Sequence, residues 1–148
     1  MKALEAANYL IEISNYSSES DLTNLKLQKV LFYAQGLYLA ENGKPLFEDD
    51  ILAWRYGPVI QEVYDTYKSF GAYQLSEFEI SAPYKLSNEH KLFLDKIWTE
   101  IGSKYTAAYL VNKTHITDGP WHKVYSREQG AVIPLVDLEA FFTENPTL

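Results

Sequence analysis

The stretch His115-Ile116-Thr117-Asp118-Gly119-Pro120-Trp121-His122 places two imidazoles and a carboxylate close together in the chain. Neutral imidazole nitrogen and carboxylate oxygen both ligate zinc or iron, so a small metal-assisted hydrolase using His115, Asp118 and His122 is one reading of this sequence. The spacing argues against it. Gly119-Pro120 interrupts any helix, so the three side chains do not share a face, and no HExxH or ExxH pattern supplies the remaining ligands. The structural alternative is a His115 that ends a helix by bonding its last carbonyls, followed by a turn whose Trp121 packs back on the core.

Other chemistry has no footing in the residues. The chain has no cysteine, which excludes disulfides, thiolate catalysis and thiolate metal sites. It contains no GxGxxG, P-loop or GxSxG pattern, and Glu48-Asp49-Asp50 lacks the spacing of a calcium loop and reads as a solvated acidic turn. The composition therefore directs attention to binding. Of 148 residues, 12 are Tyr, 3 Trp and 7 Phe, and Tyr and Trp serve as interface anchors as well as core. A net charge of −7 repels phosphate backbones, which disfavours nucleic acid, including operator DNA, and suits a basic or neutral protein partner.

On the second helical stretch, Leu25-Lys26-Leu27-Gln28-Lys29-Val30-Leu31-Phe32-Tyr33-Ala34, Lys29 lies off the Leu27, Leu31, Ala34 face, with Tyr33 one turn on. This spacing displays a cation and a phenol together, unless the pair belongs to an ordinary solvated helix face. A second cluster, Trp54-Arg55-Tyr56-Gly57-Pro58-Val59-Ile60, joins an indole, a guanidinium and a phenol at a junction between elements.

The elements that must position these residues are mostly helices, and the length suits one domain with its own core. Ala3, Ala7, Leu10, Ile11 and Ser14 share one face of a helix from Lys2 to about Asn15, ended by the polar loop Tyr16 to Ser20. A second helix runs from a cap at Thr23 or Asn24 to about Glu41, with Leu27, Val30, Leu31, Ala34, Leu37 and Tyr38 inward and Asn42-Gly43 as its stop. A third is expected from Pro58, through Ile60, Val63, Tyr64 and Tyr67, to Gly71. Ser87 caps a fourth that buries Phe93, Leu94, Ile97, Trp98 and Ile101 before Gly102, with Glu89 near its positive end. A fifth spans Thr106 to Thr114. Thr117 to Pro120 reads as a loop, and Pro134 opens a last helix through Leu135, Leu138, Phe141 and Phe142. The extended segment Ile51 to Tyr56 and the alternating Glu77 to Ser81 are expected to pair as a small sheet. The fold expected is mainly α, a single-domain bundle of about six helices with a minor two-stranded element. The charged start Met1-Lys2-Ala3-Leu4-Glu5 does not read as a signal peptide, and the apolar runs fall short of the ~20 residues a membrane span requires, so a soluble, cytoplasmic protein is expected.

Taken together, the stretch from Leu25 to Gly71 and the later Thr114 to Trp121 resemble the Panacea domain family, the SocA-like antitoxins, which includes phage-associated proteins of GepA type. The motif positions are Leu27, Gln28, Lys29, Tyr33, Gly43, Pro45, Leu46, Phe47, Ala53, Trp54, Tyr56, Gly57, Pro58, Val59, Val63, Tyr64, His115, Pro120 and Trp121. Val30 departs mildly from the family's usual Leu, and Arg55 occupies a variable slot. The resemblance implies a binding module without catalytic residues or cofactor. Such a module neutralises a cognate protein toxin by direct contact, in some members as an adaptor that delivers the toxin to a protease. Leu27, Gln28, Trp54, Gly57, Pro58, Val59, Tyr64, His115 and Pro120 are then expected to be largely structural, with Gly57-Pro58 setting a helix start and Trp54 in the core. Lys29, Tyr33, Arg55, Tyr56 and Trp121 are the candidate partner-binding anchors.

Overall fold

A helix that is apolar on every side can only be satisfied at the centre of a fold, and the run Val30-Leu31-Phe32-Tyr33-Ala34 makes α2 (Asn24–Asn42) such a helix. It is buried along most of its 19 residues. The Thr23 hydroxyl caps its start by accepting from the Lys26 N–H at 3.2 Å, and the Gly43 N–H closes its end on the Leu39 carbonyl at 2.8 Å. The structure is a computed structural model that describes residues 1–16, 21–76 and 85–147.

Around α2 stand α1 (Ala3–Ser14), α3 (Gln61–Tyr67), α4 (Asn88–Ile97), α5 (Ala107–Thr114), α6 (Pro120–Tyr125) and α7 (Leu135–Glu144). α1 presents Ala3, Ala6, Ala7, Leu10 and Ile11 to the core, α4 continues into a π-helical turn, Trp98–Gly102, and α7 makes the most extensive packing against α2. The mainly helical architecture with a small antiparallel pair agrees with the sequence reading. α6 is an addition: Pro120 sits in its first turn, where the missing N–H costs nothing, and the stretch had been expected to be loop.

The third helix differs from expectation. Gly57–Val59 is not its first turn but strand β2, which pairs antiparallel with β1 (Leu52–Trp54) in the register Leu52↔Val59, Ala53↔Pro58, Trp54↔Gly57. α3 starts only at Gln61, and a 3₁₀ turn, Lys68–Phe70, then leads to Gly71. The reason is local: a residue before proline is pushed out of the α region, and Gly57 takes a φ of 113°, open to glycine and closed to other side chains. The expected partner strand, Glu77 to Ser81, lies outside the described residues. β1 instead finds its second neighbour in the segment after α6. Ala53 donates to the Ala131 carbonyl (2.9 Å) and accepts from the Gly130 N–H (2.7 Å), and Ile133 donates to the Ile51 carbonyl (2.8 Å).

Two buried groups fasten the outer layers to α2. The Gln35 side chain accepts from the Leu46 and Phe47 N–H groups (2.8 and 3.2 Å) and donates to the Phe47 carbonyl (2.8 Å), holding the Pro45-Leu46-Phe47 loop on the helix. Gly36 leaves room for the Phe142 ring of α7, which any Cβ at that position would overlap. The ring also meets Phe32 and Tyr33 edge to face, at 5.5 and 5.6 Å between centroids. Gly36→Ala should therefore force α7 off its seat and cost ~1–3 kcal/mol as overpacking. Urea unfolding of the variant measures this, and an unchanged midpoint would mean that α7 does not depend on that contact.

Candidate binding site at the hairpin

The β1–β2 hairpin is too short to satisfy its own backbone, and each unpaired buried carbonyl or N–H needs a partner. Side chains from three helices supply them. From α2, Gln28 accepts from the Ile60 N–H at 2.9 Å while donating to Asn24 at 3.0 Å, and the Lys29 amine donates to the Pro58 carbonyl at 3.2 Å. From α6, the Trp121 indole N–H donates to the Trp54 carbonyl at 2.7 Å. At the end of α5, the His115 ring places Nε2 3.2 Å from the Arg55 carbonyl and Nδ1 2.5 Å from the Val111 carbonyl. The His115 and Trp121 rings lie 4.0 Å apart, and Trp121 stacks on Tyr125 at 4.6 Å. The two separated motif stretches thus meet, the later one bracing the turn that the earlier one forms.

This arrangement fixes where each predicted residue lies. Lys29 and Tyr33, expected on an exposed face, are buried, at 0% and 4% exposure. The physical reason is the continuous apolar run beside them, which buries α2 on all sides rather than along one stripe. That run was the sequence signal for their burial. Trp121, expected as an exposed anchor, is also buried, where it makes the brace just described. Trp54 is half-buried rather than core and meets Tyr64 edge to face at 5.0 Å. Leu27, Gln28, Gly57, Pro58, Val59 and Pro120 are buried, and Tyr64 and His115 are partly covered. Arg55 and Tyr56 form the two-residue hairpin tip and are exposed, Tyr56 at 64%, with the Arg55 guanidinium 5.5 Å from the Tyr56 ring centroid. A Cβ on Gly57 would sit 2.7 Å from Lys29 Cε and 3.1 Å from the Thr114 hydroxyl, so glycine lets the hairpin close on the lysine.

The set His115, Asp118 and His122 does not converge. Both nitrogens of His115 face carbonyl oxygens, and His122 Nδ1 accepts from the Asp118 N–H at 3.1 Å, a bond made possible by the left-handed Asp118 (φ 62°). Among the described residues, no group of three or more His, Asp or Glu side chains is placed to hold a metal ion.

Lys29 is the unusual charge. Its neighbour Lys26 is equally buried but pairs with Asp21 at 2.5 Å, whereas no carboxylate among the described residues lies within ion-pair distance of Lys29. Burial alone lowers its amine from the ordinary lysine value to about 7. Burial likewise raises the Tyr33 phenol well above its usual range, with the Tyr109 phenol adding to the shift. Beside the hairpin, Lys29, Trp54, Arg55, Tyr56, Tyr64 and Tyr125 help line a cavity of about 710 Å³.

A helical domain whose central helix and C-terminal brace present a pinned hairpin is the class of protein described. The chain belongs to the family "Antitoxin SocA-like, Panacea domain", whose model matches residues 27–122. The matched span covers every motif position from Leu27 to Trp121. The chain is also similar to Antitoxin SocA of Caulobacter vibrioides (strain NA1000 / CB15N), 29% identical over 111 residues, which cover 68% of this chain and 58% of that relative. No solved structure matches it. No helix among the described residues is long and apolar enough to cross a membrane.

The lysine titration has a measurable consequence. Unfolded Lys29 keeps its proton to about pH 10, whereas the folded amine releases it near pH 7. Between those values the unfolded chain binds more protons, so this residue's contribution makes stability rise with pH. Below pH 7 both states are protonated and the full burial cost of the charge remains. Lys29→Met loses the bond to Pro58 at every pH but is free of this burial cost, so its stability relative to the parent should be higher at pH 6 than at pH 9. Parallel urea titrations at the two pH values read it; a pH-independent difference would show that the amine titrates as in solvent.

Proposed function

We propose that this protein is an antitoxin-type binding module that neutralises a cognate protein toxin by direct contact, with the Arg55–Tyr56 hairpin tip at the centre of the contact. The observation that carries this reading is an exposed aromatic–cation pair on a turn whose flanking carbonyls are fixed by Trp121 and His115. A pre-positioned Tyr or Arg loses little conformational freedom on binding, which is why such residues dominate interface energetics. Membership of a family described as antitoxins supports the role. The relative named Antitoxin SocA supports it through the shared segment. A role by contact requires no cofactor, and the metal-hydrolase alternative finds no converging ligands in the described residues.

The protein's charge shapes the partner it would accept. One flank of the hairpin is a groove of about 690 Å³ lined by Asp49, Asp50, Glu62 and Asp65, and the chain as a whole carries −7. Such a surface favours encounter with a basic protein and repels nucleic acid. Phage association, a cytoplasmic setting and delivery of the toxin to a protease are further parts of this reading that the family resemblance suggests.

The test is co-expression of the neighbouring gene with and without this chain, followed by recovery of the complex. Growth arrest relieved by this chain is expected. In the purified complex, Arg55→Ala and Tyr56→Ala should each weaken affinity by ~2 kcal/mol or more while leaving the melting temperature unchanged. Trp121→Ala should lower the melting temperature as well. Absence of both toxicity and complex formation would remove the antitoxin reading, and equal loss of binding and folding at Arg55 and Tyr56 would remove the tip from the interface.

A further inference from the structure

The cavity beside the hairpin has a charge pattern opposite to that of the protein. The chain holds 20 Asp and Glu residues, yet none of those among the described residues lines this cavity, while Lys29, Arg55 and Lys68 all do. Its walls include Trp54, Tyr64 and Tyr125, and its volume of about 710 Å³ falls within the ~300–1,000 Å³ of typical small-ligand sites. Lys68 carries a loose surface pair with Asp65 at 3.8 Å, and Arg55 has no carboxylate within ion-pair distance among the described residues. At the floor, the buried Lys29 amine is held by one backbone carbonyl, that of Pro58. Burying an amine without a counter-charge is costly, and an anion supplied from outside removes that cost.

We propose that this cavity is a binding site for an organic carboxylate on an aromatic or aliphatic stem, the stem lying against Trp54 and Tyr64 and the carboxylate drawn by Arg55, Lys68 and Lys29. The Lys29 amine is covered by the hairpin, so direct pairing requires its flexible stem to turn the amine off the Pro58 carbonyl. A carboxylate prefers the cationic form of that amine, and binding therefore takes up a proton where the empty protein has lost it. Among the described residues, the titratable or charged groups that line the cavity with Lys29 are Arg55 and Tyr56 in the turn, Tyr64 and Lys68 from α3 and the turn after it, and Tyr125 from α6, and His115 after α5 meets the Arg55 carbonyl. The proposal does not depend on the antitoxin reading. The carboxylate can come from a free acid or from the end of a peptide chain, and the two sources present the same group.

Phenylacetate, phenylacetamide and N-acetylphenylalanine are titrated into the full chain at low ionic strength, at pH 6.5 and 8.5. Backbone and indole amide shifts and calorimetry in buffers of different ionisation enthalpy give the readout. The acids should saturate shifts centred on Trp54, Arg55 and Tyr56, bind about tenfold more tightly than the amide, weaken at pH 8.5, and take up a proton on binding at that pH. Tighter binding of N-acetylphenylalanine than of phenylacetate assigns the site to a chain end, and the reverse order to a free acid. Arg55→Ala, an exposed change that leaves the fold intact, should reduce the preference for acid over amide, and Lys29→Met should abolish it. An amide that binds as well as the acids overturns the proposal. So does the absence of saturable shifts up to the solubility limit of the acids, or an acid affinity and proton uptake that do not change with pH.

Discussion

Everything around the hairpin depends on satisfying the backbone of residues 52–60 with side chains, because two three-residue strands cannot do so for each other. Gln28 takes the Ile60 N–H, Lys29 binds the Pro58 carbonyl, and Trp121 and His115 face the carbonyls of Trp54 and Arg55. A polar group left unpaired in this layer would cost on the order of 1–3 kcal/mol. These contacts fix where α2, α5 and α6 must meet, and the turn they leave outside is the two-residue tip. Gly57 belongs to the same constraint: without its φ of 113° and its missing Cβ, the second strand could not lie on the lysine stem.

Lys29 carries the tension in this design. Structure would be served by a neutral donor, yet the chain places an amine there with no acid within ion-pair distance among the described residues, although it places Asp21 beside Lys26. The result is a base lowered to about 7 that lines a cavity together with Trp54, Tyr56, Tyr64 and Tyr125. Its hydrogen bond to Pro58 persists in either protonation state, so the hairpin is held across neutral pH while the charge beneath it changes.

Much of the scaffold was legible in the sequence because the signals were local. The Thr23 cap, the stop at Gly43, the Ala3 to Ser14 face and the Ser87 cap each act within a few residues, and the structure shows all of them. The site was legible only as a set of residues. Lys29 and Tyr33 were misplaced because one-face periodicity presumes a surface helix, and the all-round apolar character of Val30 to Ala34 overrides it. The helix start assigned to Gly57-Pro58 failed because proline at a helix start and proline in a short edge strand satisfy the same rule, that its nitrogen needs no acceptor. The bonds of Trp121 and His115 to the hairpin join residues about sixty positions apart, which no spacing rule within either stretch encodes.

The central claim is that four distant side chains hold the hairpin as a rigid display. Amide hydrogen exchange of the native protein tests it most directly, followed residue by residue at Ala53 and Ile60, with Leu27 in α2 as the core reference. Both hairpin amides should exchange only through near-global opening, and Gln28→Leu or Trp121→Phe should speed them selectively while Leu27 stays slow. Exchange of Ala53 and Ile60 at the rate of an exposed loop in the unmodified protein would contradict it.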